Sequence, residues 1–391
     1  NGIGITKLML FPLNPNTPQC DVFKVLNDEL LYFLEASVQA TVFDENLFSQ
    51  YLHNGQQKRS VCWNNQPTRE KFEALWQALP QSQQERLRLF ELVRDAQQIN
   101  IYFDNTSLLP ELDEDLFAPF KSLTSHLFTE TKDRKRTREQ ARSSIQEHFQ
   151  DFKRVNGNSQ LCFLCGTSLL SQDRVNLSDE EQWRADYDHV LCKDKYPIYT
   201  SHPGNFIPTC HICNSKAKGA KNVLYGARNR RRKAFYPLPP SQESCYQYAQ
   251  VEPKFRGLAE LHGGEWQDPI ASTSITFPDS PADIAEKIDV WTEVYQVPSR
   301  VEKYVITHFC ERLAGNLHLN DQDEFEDFKQ QLRWATRSEP VDIKITEWKF
   351  WLYRMQIFLA NQDDDYLRDI WPLLQWKLSL AKEEDMIATF G

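Results

Sequence analysis

The sequence predicts an α+β protein, mainly α, with a small cysteine-bearing module at its centre and helical regions on both sides. Three observations lead there. Apolar residues recur at three-to-four spacing over much of residues 1–155 and again beyond residue 280, as in amphipathic helices. β-like runs are short and few. Two Cys-x-x-Cys pairs, Cys162/Cys165 and Cys210/Cys213, stand close together in mid-chain. A length of 391 residues allows two or three domains and a sizeable core.

Residues 1–155 are expected to form a mixed, mainly helical N-terminal region. Strands are predicted at 3–11 and 99–103, and helices at 22–36, 68–78, 82–98 and 115–128. Ser82 is the expected N-cap of the third helix, with Glu85 completing a capping box. Another helix is predicted over 133–152, and its basic start, DRKRTREQAR, fits either a solvated face or a DNA contact. The central module runs from 156 to 240. Asn156-Gly157-Asn158-Ser159 makes a turn at its entrance, and Pro237, Pro239 and Pro240 close it. Residues 241–280, rich in Gly, Pro and Ser, predict a linker or long loop. An all-helical domain follows over 281–391, with helices at 282–296, 301–314, 323–336, 345–360 and 366–382. Its Trp334, Trp348, Phe350, Trp351, Trp371 and Trp376 read as core and interface rather than as a base-stacking platform.

The formal charge is −10, but it is segregated along the chain. Residues 160–235 carry 12 Lys+Arg against 7 Asp+Glu, whereas 281–391 carry 13 against 21. A basic face on an acidic body can still attract phosphates, with a strong dependence on salt. No apolar run reaches the roughly 18–20 residues of a membrane span. Residues 2–14 are too short and weakly flanked for a secretory signal. Five of the nine cysteines (Cys20, Cys62, Cys192, Cys245, Cys310) are scattered without disulfide-like spacing, so a reducing, cytoplasmic location is expected.

The chemistry lies between the cysteine pairs. Asp188-His189 and Asn205 fall there, and Asn214 follows Cys213 directly. Four thiolates suit a tetrahedral structural zinc, although either pair alone could be a redox couple or two buried thiols. Histidine is the side chain whose ordinary pKa lies near working pH, as a general base requires. A lone Asp-His, in contrast, is usually a surface pair. His211, His202 and Cys192 lie nearby and are read as non-ligating. Lys216 and Lys218, with Arg228, Arg230, Arg231 and Arg232 of the RNRRRK run, are candidates for phosphate contact. A solvated face or a localisation-like signal is the other reading of that run.

This order of residues resembles the HNH endonuclease family, whose catalytic unit is a ββα-metal fold. The matching elements are Asp188-His189, Asn205 and Asn214, with Asn in place of the family's final His. The flanking words DYDHVLCKDKYP and NFIPTCHICNSKAK look like a bacterial subgroup with two zinc-binding Cys-x-x-Cys pairs. The resemblance covers about 75 residues. It implies His189 as general base, Asn205 fixing the loop and the orientation of His189, and one Mg²⁺ or Mn²⁺ held by Asp188 and Asn214. Hard oxygen ligands of this kind, completed by phosphate and water, suit Mg²⁺. The expected activity is metal-dependent hydrolysis of DNA. The large flanks suggest an effector of bacterial anti-phage defence or restriction, with the C-terminal domain free for protein contacts or self-association. The competing reading is a non-catalytic, zinc-ribbon-like module that binds nucleic acid or a protein.

Overall fold

A computed structural model describes residues 9–178, 181–240, 243–257, 269–320 and 322–390. The architecture is mainly helical α+β, and its strands form two-stranded antiparallel sheets. Contacts group the chain into two units. The first comprises residues 12–160 and 170–243, and the second comprises 9–11, 161–169 and 244–391.

In the first unit, helices α1 (Asp21–Ser37), α2 (Val61–Asn64), α3 (Gln66–Ala78), α4 (Gln83–Asp95), α5 (Glu114–Thr129), α6 (Lys135–Ala141) and α7 (Ile145–Val155) precede the central segment. The β1/β2 hairpin (Gln50–His53, Gln56–Arg59) interrupts them, and the short β3/β4 pair (Ser171–Gln172, Trp183–Arg184) follows. Next comes the hairpin that matters most, β5 (Tyr187–His189) against β6 (Phe206–Pro208). Its register sets Tyr187 opposite Pro208, Asp188 opposite Ile207 and His189 opposite Phe206. A π-helix, Ile212–Lys218, follows directly. Apolar residues of α1 and α7 close over this hairpin. Cys20, Val22, Phe23 and Ile145 are buried together with Tyr187 and Phe206, and Phe128 of α5 packs against them. Phe23 stacks on Phe206 with ring centroids 3.7 Å apart. The helices before the hairpin therefore share its core, which a ββ-plus-helix segment this small could not bury alone.

Several local expectations change on the way. Residues 3–8 of the expected strand at 3–11 lie outside the described residues, and Met9–Phe11 form a bend. Residues 99–103 belong to a 3₁₀ helix, Ile99–Asp104, ending on left-handed Asn105. Burial falls on Ile99, Tyr102 and Phe103, a three-to-four spacing, and no strand among the described residues pairs with them. Ser82 does precede α4, but its side chain makes no capping bond. The single helix expected over 133–152 is two helices. Arg142 turns left-handed, and Ser144 with Glu147 forms a reciprocal capping box that restarts the chain as α7.

The second unit carries helices α8 (Ala282–Tyr295), α9 (Val297–Leu317), α10 (Phe325–Thr336), α11 (Lys349–Ala360) and α12 (Asp364–Phe390). Part of the expected linker at 241–280 is instead a hairpin, β7 (Gln250–Phe255) with β8 (Ile270–Thr276). Val251 and Ile270 of that hairpin are fully buried. The unit also holds a tight knuckle at 161–169. Cys162 N donates to Ser168 O at 2.9 Å and Gly166 N to Cys162 O at 2.9 Å. Gly166 has φ +67°, and a Cβ there would lie 2.8 Å from Leu10 Cδ2, so glycine is required on two counts. Two buried indoles clamp this knuckle. Trp291 Nε1 donates to Leu164 O at 3.0 Å, and Trp351 Nε1 to Cys165 O at 2.8 Å. Phe350 and Trp371 are buried as expected of core, whereas Trp334 is 69% exposed.

Trp351→Phe keeps most of the ring and removes only the donor, leaving a buried carbonyl unsatisfied. It should cost about 1–3 kcal/mol, read as a lower midpoint in urea unfolding; an unchanged midpoint would mean the indole bond contributes nothing.

Candidate functional site

The four cysteines of the paired motif are buried, and their sulfurs all lie within 4.8 Å of one another. Tetrahedral zinc with thiolates at about 2.3 Å separates its sulfurs by about 3.8 Å, so this cluster is compatible with a structural Zn²⁺. The surroundings favour thiolate. Thr167 donates to Cys165 Sγ from its backbone N at 3.4 Å and from its hydroxyl at 3.2 Å. Arg300 reaches that same hydroxyl at 3.4 Å.

Around the β5/β6 hairpin, a cleft of about 580 Å³ is lined by Asp188, His189, Asn214 and Lys218, with Phe128, Lys132, Arg184 and Lys193 on its walls. Strand alternation alone would separate Asp188 from His189. Both nevertheless line this cleft, because β5 ends at His189 and the chain leaves the pleat there.

Asn205 is wholly buried and faces the loop after β5. Its Oδ1 accepts from Leu191 N at 2.7 Å, and its Nδ2 donates to Leu191 O at 3.0 Å and Tyr199 O at 2.9 Å. That carboxamide closes residues 190–204 into a fixed shape. Gly204 just before it has no room for a Cβ, which would meet the Tyr236 hydroxyl at 2.7 Å.

His189 is 8% exposed and sits between aromatic rings, 4.3 Å from Phe128 and 4.7 Å from Phe206, centroid to centroid. Its Nε2 lies 3.2 Å from Thr200 O. A carbonyl only accepts, so Nε2 carries the proton and Nδ1 keeps its lone pair. Nδ1 has no hydrogen bond among the described residues. Burial lowers the pKa of the ring to about 3, helped by the nearby Lys218 and Lys193 ammoniums and opposed by the Thr200 carbonyl. The imidazole is therefore neutral at neutral pH, with the Nδ1 lone pair free of protein partners among the described residues.

Asp188 is 3% exposed. Its Oδ1 accepts from Lys218 Nζ at 2.9 Å, and that ammonium also donates to His189 O at 2.6 Å. Asp188 Oδ2 is buried with no partner among the described residues. Burial pushes this carboxyl above the ordinary carboxylate range, while Lys218 pulls it back. Lys218 was expected to meet phosphate from the surface; it is instead 2% exposed and turned inward. Gly219 N donates to Asn214 O at 2.8 Å, a five-residue step that widens the helix. Asn214 and Lys218, four residues apart, lie on one face of it and both line the cleft.

Of the other basic candidates, Lys216, Arg228 and Arg230 are exposed. Arg231 is committed to the carbonyls of Leu224, Tyr102 and Arg232, and Arg232 to those of Val223 and Asn222. His202 braces a turn, with Nε2 on Gln97 O at 3.0 Å and Nδ1 accepting from Gly204 N at 3.0 Å. His211 is exposed, and Cys192 is buried at the cleft wall. Phe128, Lys132 and Arg184 were not anticipated as lining. Phe128 reaches the cleft from a helix some sixty residues earlier, and no local pattern marks it. No helix of the described residues is long and apolar enough to cross a membrane.

Comparison with known proteins gives no match to a family model, a curated protein or a solved structure.

Metal analysis of freshly purified protein should find one zinc per chain. Cys210→Ser should lower that content and the melting temperature together, because the metal's binding energy is also folding energy. Zinc-free protein of undiminished stability would remove the metal from the account.

Proposed function

We propose that the chain is a metal-dependent endonuclease of the HNH type that hydrolyses DNA phosphodiester bonds. The observation that carries this reading is one cleft holding Asp188, His189 and Asn214, above a loop pinned by Asn205. Strand, pinned loop, strand and helix follow in the order of a ββα-metal unit.

The residues fit a divalent ion. Asp188 offers a buried carboxylate oxygen that lacks a partner among the described residues, and Asn214 adds a carboxamide in the same cleft. A Mg²⁺ or Mn²⁺ held by these oxygens would neutralise charge on the phosphate and on the departing 3′-oxygen. His189 Nδ1 takes a proton from water as the water oxygen bonds to phosphorus. The bond from phosphorus to the 3′-oxygen breaks, and that oxygen leaves with its electron pair. The Thr200 carbonyl holds the ring in the required tautomer throughout and favours the imidazolium that forms.

One observation favours the competing reading of a non-catalytic, zinc-ribbon-like module that binds nucleic acid or a protein. The Lys218 ammonium already neutralises Asp188, so the carboxylate is balanced as it stands. Cleavage separates the two readings. Supercoiled plasmid should be nicked in Mg²⁺ or Mn²⁺ and left intact in EDTA. His189→Ala should reduce the rate by about 100- to 10,000-fold with zinc content unchanged. A wild-type protein that nicks equally in EDTA, or a His189→Ala variant of full activity, would end the mechanism.

Lys218→Met tests the ion site without relying on activity. It leaves a buried carboxylate without its counter-charge, which costs about 3–5 kcal/mol and should lower the melting temperature. Mn²⁺ should then stabilise the variant more than the wild type, since no ammonium competes for Asp188. Equal Mn²⁺ shifts in the two proteins would place the ion elsewhere.

A further inference from the structure

A second cleft, of about 560 Å³, adjoins the first and shares Lys132, Ile145, Arg184 and Asp186 with it. Arg138, Gln146 and Trp183 complete the part of its lining that matters here. The three cations among these residues come from three places in the fold: the turn after α5, helix α6 and strand β4. Arg184 is braced, its Nε donating to Gln146 Oε1 at 2.9 Å and one terminal nitrogen to Ala185 O at 3.1 Å. Neutral acceptors of this kind hold the guanidinium still and leave its charge available.

Helix α6 extends the same face. Residues 132–142 hold six cationic side chains against two carboxylates. Arg134, Lys135, Arg136 and Arg142 are exposed, and none forms an ion pair among the described residues. Three groups oppose an anion here: Glu139 on α6, Asp133, which Lys132 holds at 2.5 Å, and the exposed Asp186, which lines both clefts. Trp183 is 59% exposed at the groove, with the Arg174 guanidinium 4.2 Å from its ring centroid. Cations set along a groove in this way can contact the phosphates of a DNA backbone. The RNRRRK run is less suited, since Arg231 and Arg232 are tied to backbone carbonyls.

We propose that DNA is held along this second groove and the α6 face that extends it, its phosphates on Lys132, Lys135, Arg138 and Arg184, and enters the His189 cleft through the wall that the two clefts share. The inference rests on the nuclease reading only for what then happens to the strand. Binding without cutting is measured with full-length protein and a short fluorescein-labelled DNA duplex in EDTA, between about 50 and 200 mM salt. The groove pair Lys135→Ala/Arg138→Ala stays helix-compatible. The control pair, Arg228→Asn/Arg230→Ala, respects the left-handed backbone of Arg228. The groove pair should weaken binding and flatten the slope of log K against log salt by about two units, near 0.9 for each lost phosphate contact. The control pair should leave the slope unchanged. An unchanged slope in the groove pair, equal losses in both pairs, or a wild-type protein that does not bind the duplex would overturn the proposal. Failure of plasmid cleavage with this binding result intact would instead overturn the nuclease reading alone.

Discussion

The Asn205 carboxamide is the contact on which the rest of the site depends. Buried with no water to compete, it satisfies both backbone groups of Leu191 and the carbonyl of Tyr199. Three bonds from one side chain fix both ends of the segment that contains Thr200. The Thr200 carbonyl in turn meets His189 Nε2, which fixes the tautomer and leaves Nδ1 its lone pair. A buried carboxamide thus helps set, through the loop, which imidazole nitrogen keeps its lone pair. Orphaned backbone groups in that loop would each cost about 1–3 kcal/mol, so the loop has little freedom to relax away from this geometry.

The second constraint is charge. Asp188, His189 and Lys218 are all nearly removed from water, where an isolated ion is too costly to keep. The three reach balance together: the imidazole is neutral and the carboxylate faces an ammonium. A divalent ion entering near Asp188 must alter that balance, and Lys218 is the group in its way. Asn214 and Lys218 stand four residues apart on the π-helix, a spacing that puts both on one helix face. Widened helical turns of this type occur frequently at functional sites. Here one short helix presents both a neutral oxygen donor and a cation to the same cleft.

How much of this was legible depended on sequence range. The thiols, Asp188-His189, Asn205 and Asn214 lie within about fifty residues, and their types and spacing carry the chemistry by themselves. The gathering of Asp188, His189, Asn205 and Asn214 needs only a hairpin and a turn of helix. The indoles of Trp291 and Trp351 bond to carbonyls 127 and 186 residues away, and no local pattern links a tryptophan to a distant carbonyl. Lys218 was legible as a cation but not as a buried one, since no local pattern marks it as turning inward. The alternation at 99–103 fits a strand, yet a strand needs a partner, and partners are not written locally. The β7/β8 hairpin was hidden by Gly, Pro and Ser around it, although Val251 and Ile270 supply its buried side.

Counting charges along a sequence treats every arginine alike, and the first unit shows why that misleads. Arg231 and Arg232 bind carbonyl oxygens, which satisfy their donors without cancelling their charge. They still contribute to the field that draws a polyanion from a distance. They cannot readily turn to grip it, because each would strand buried carbonyls behind it. Lys135 and Arg136 of α6 are exposed, and neither forms an ion pair among the described residues. Arginines and lysines of similar charge thus differ in whether their donors are already used. The distinction follows from hydrogen-bond partners, which the sequence does not state, and from burial, which it states only in part.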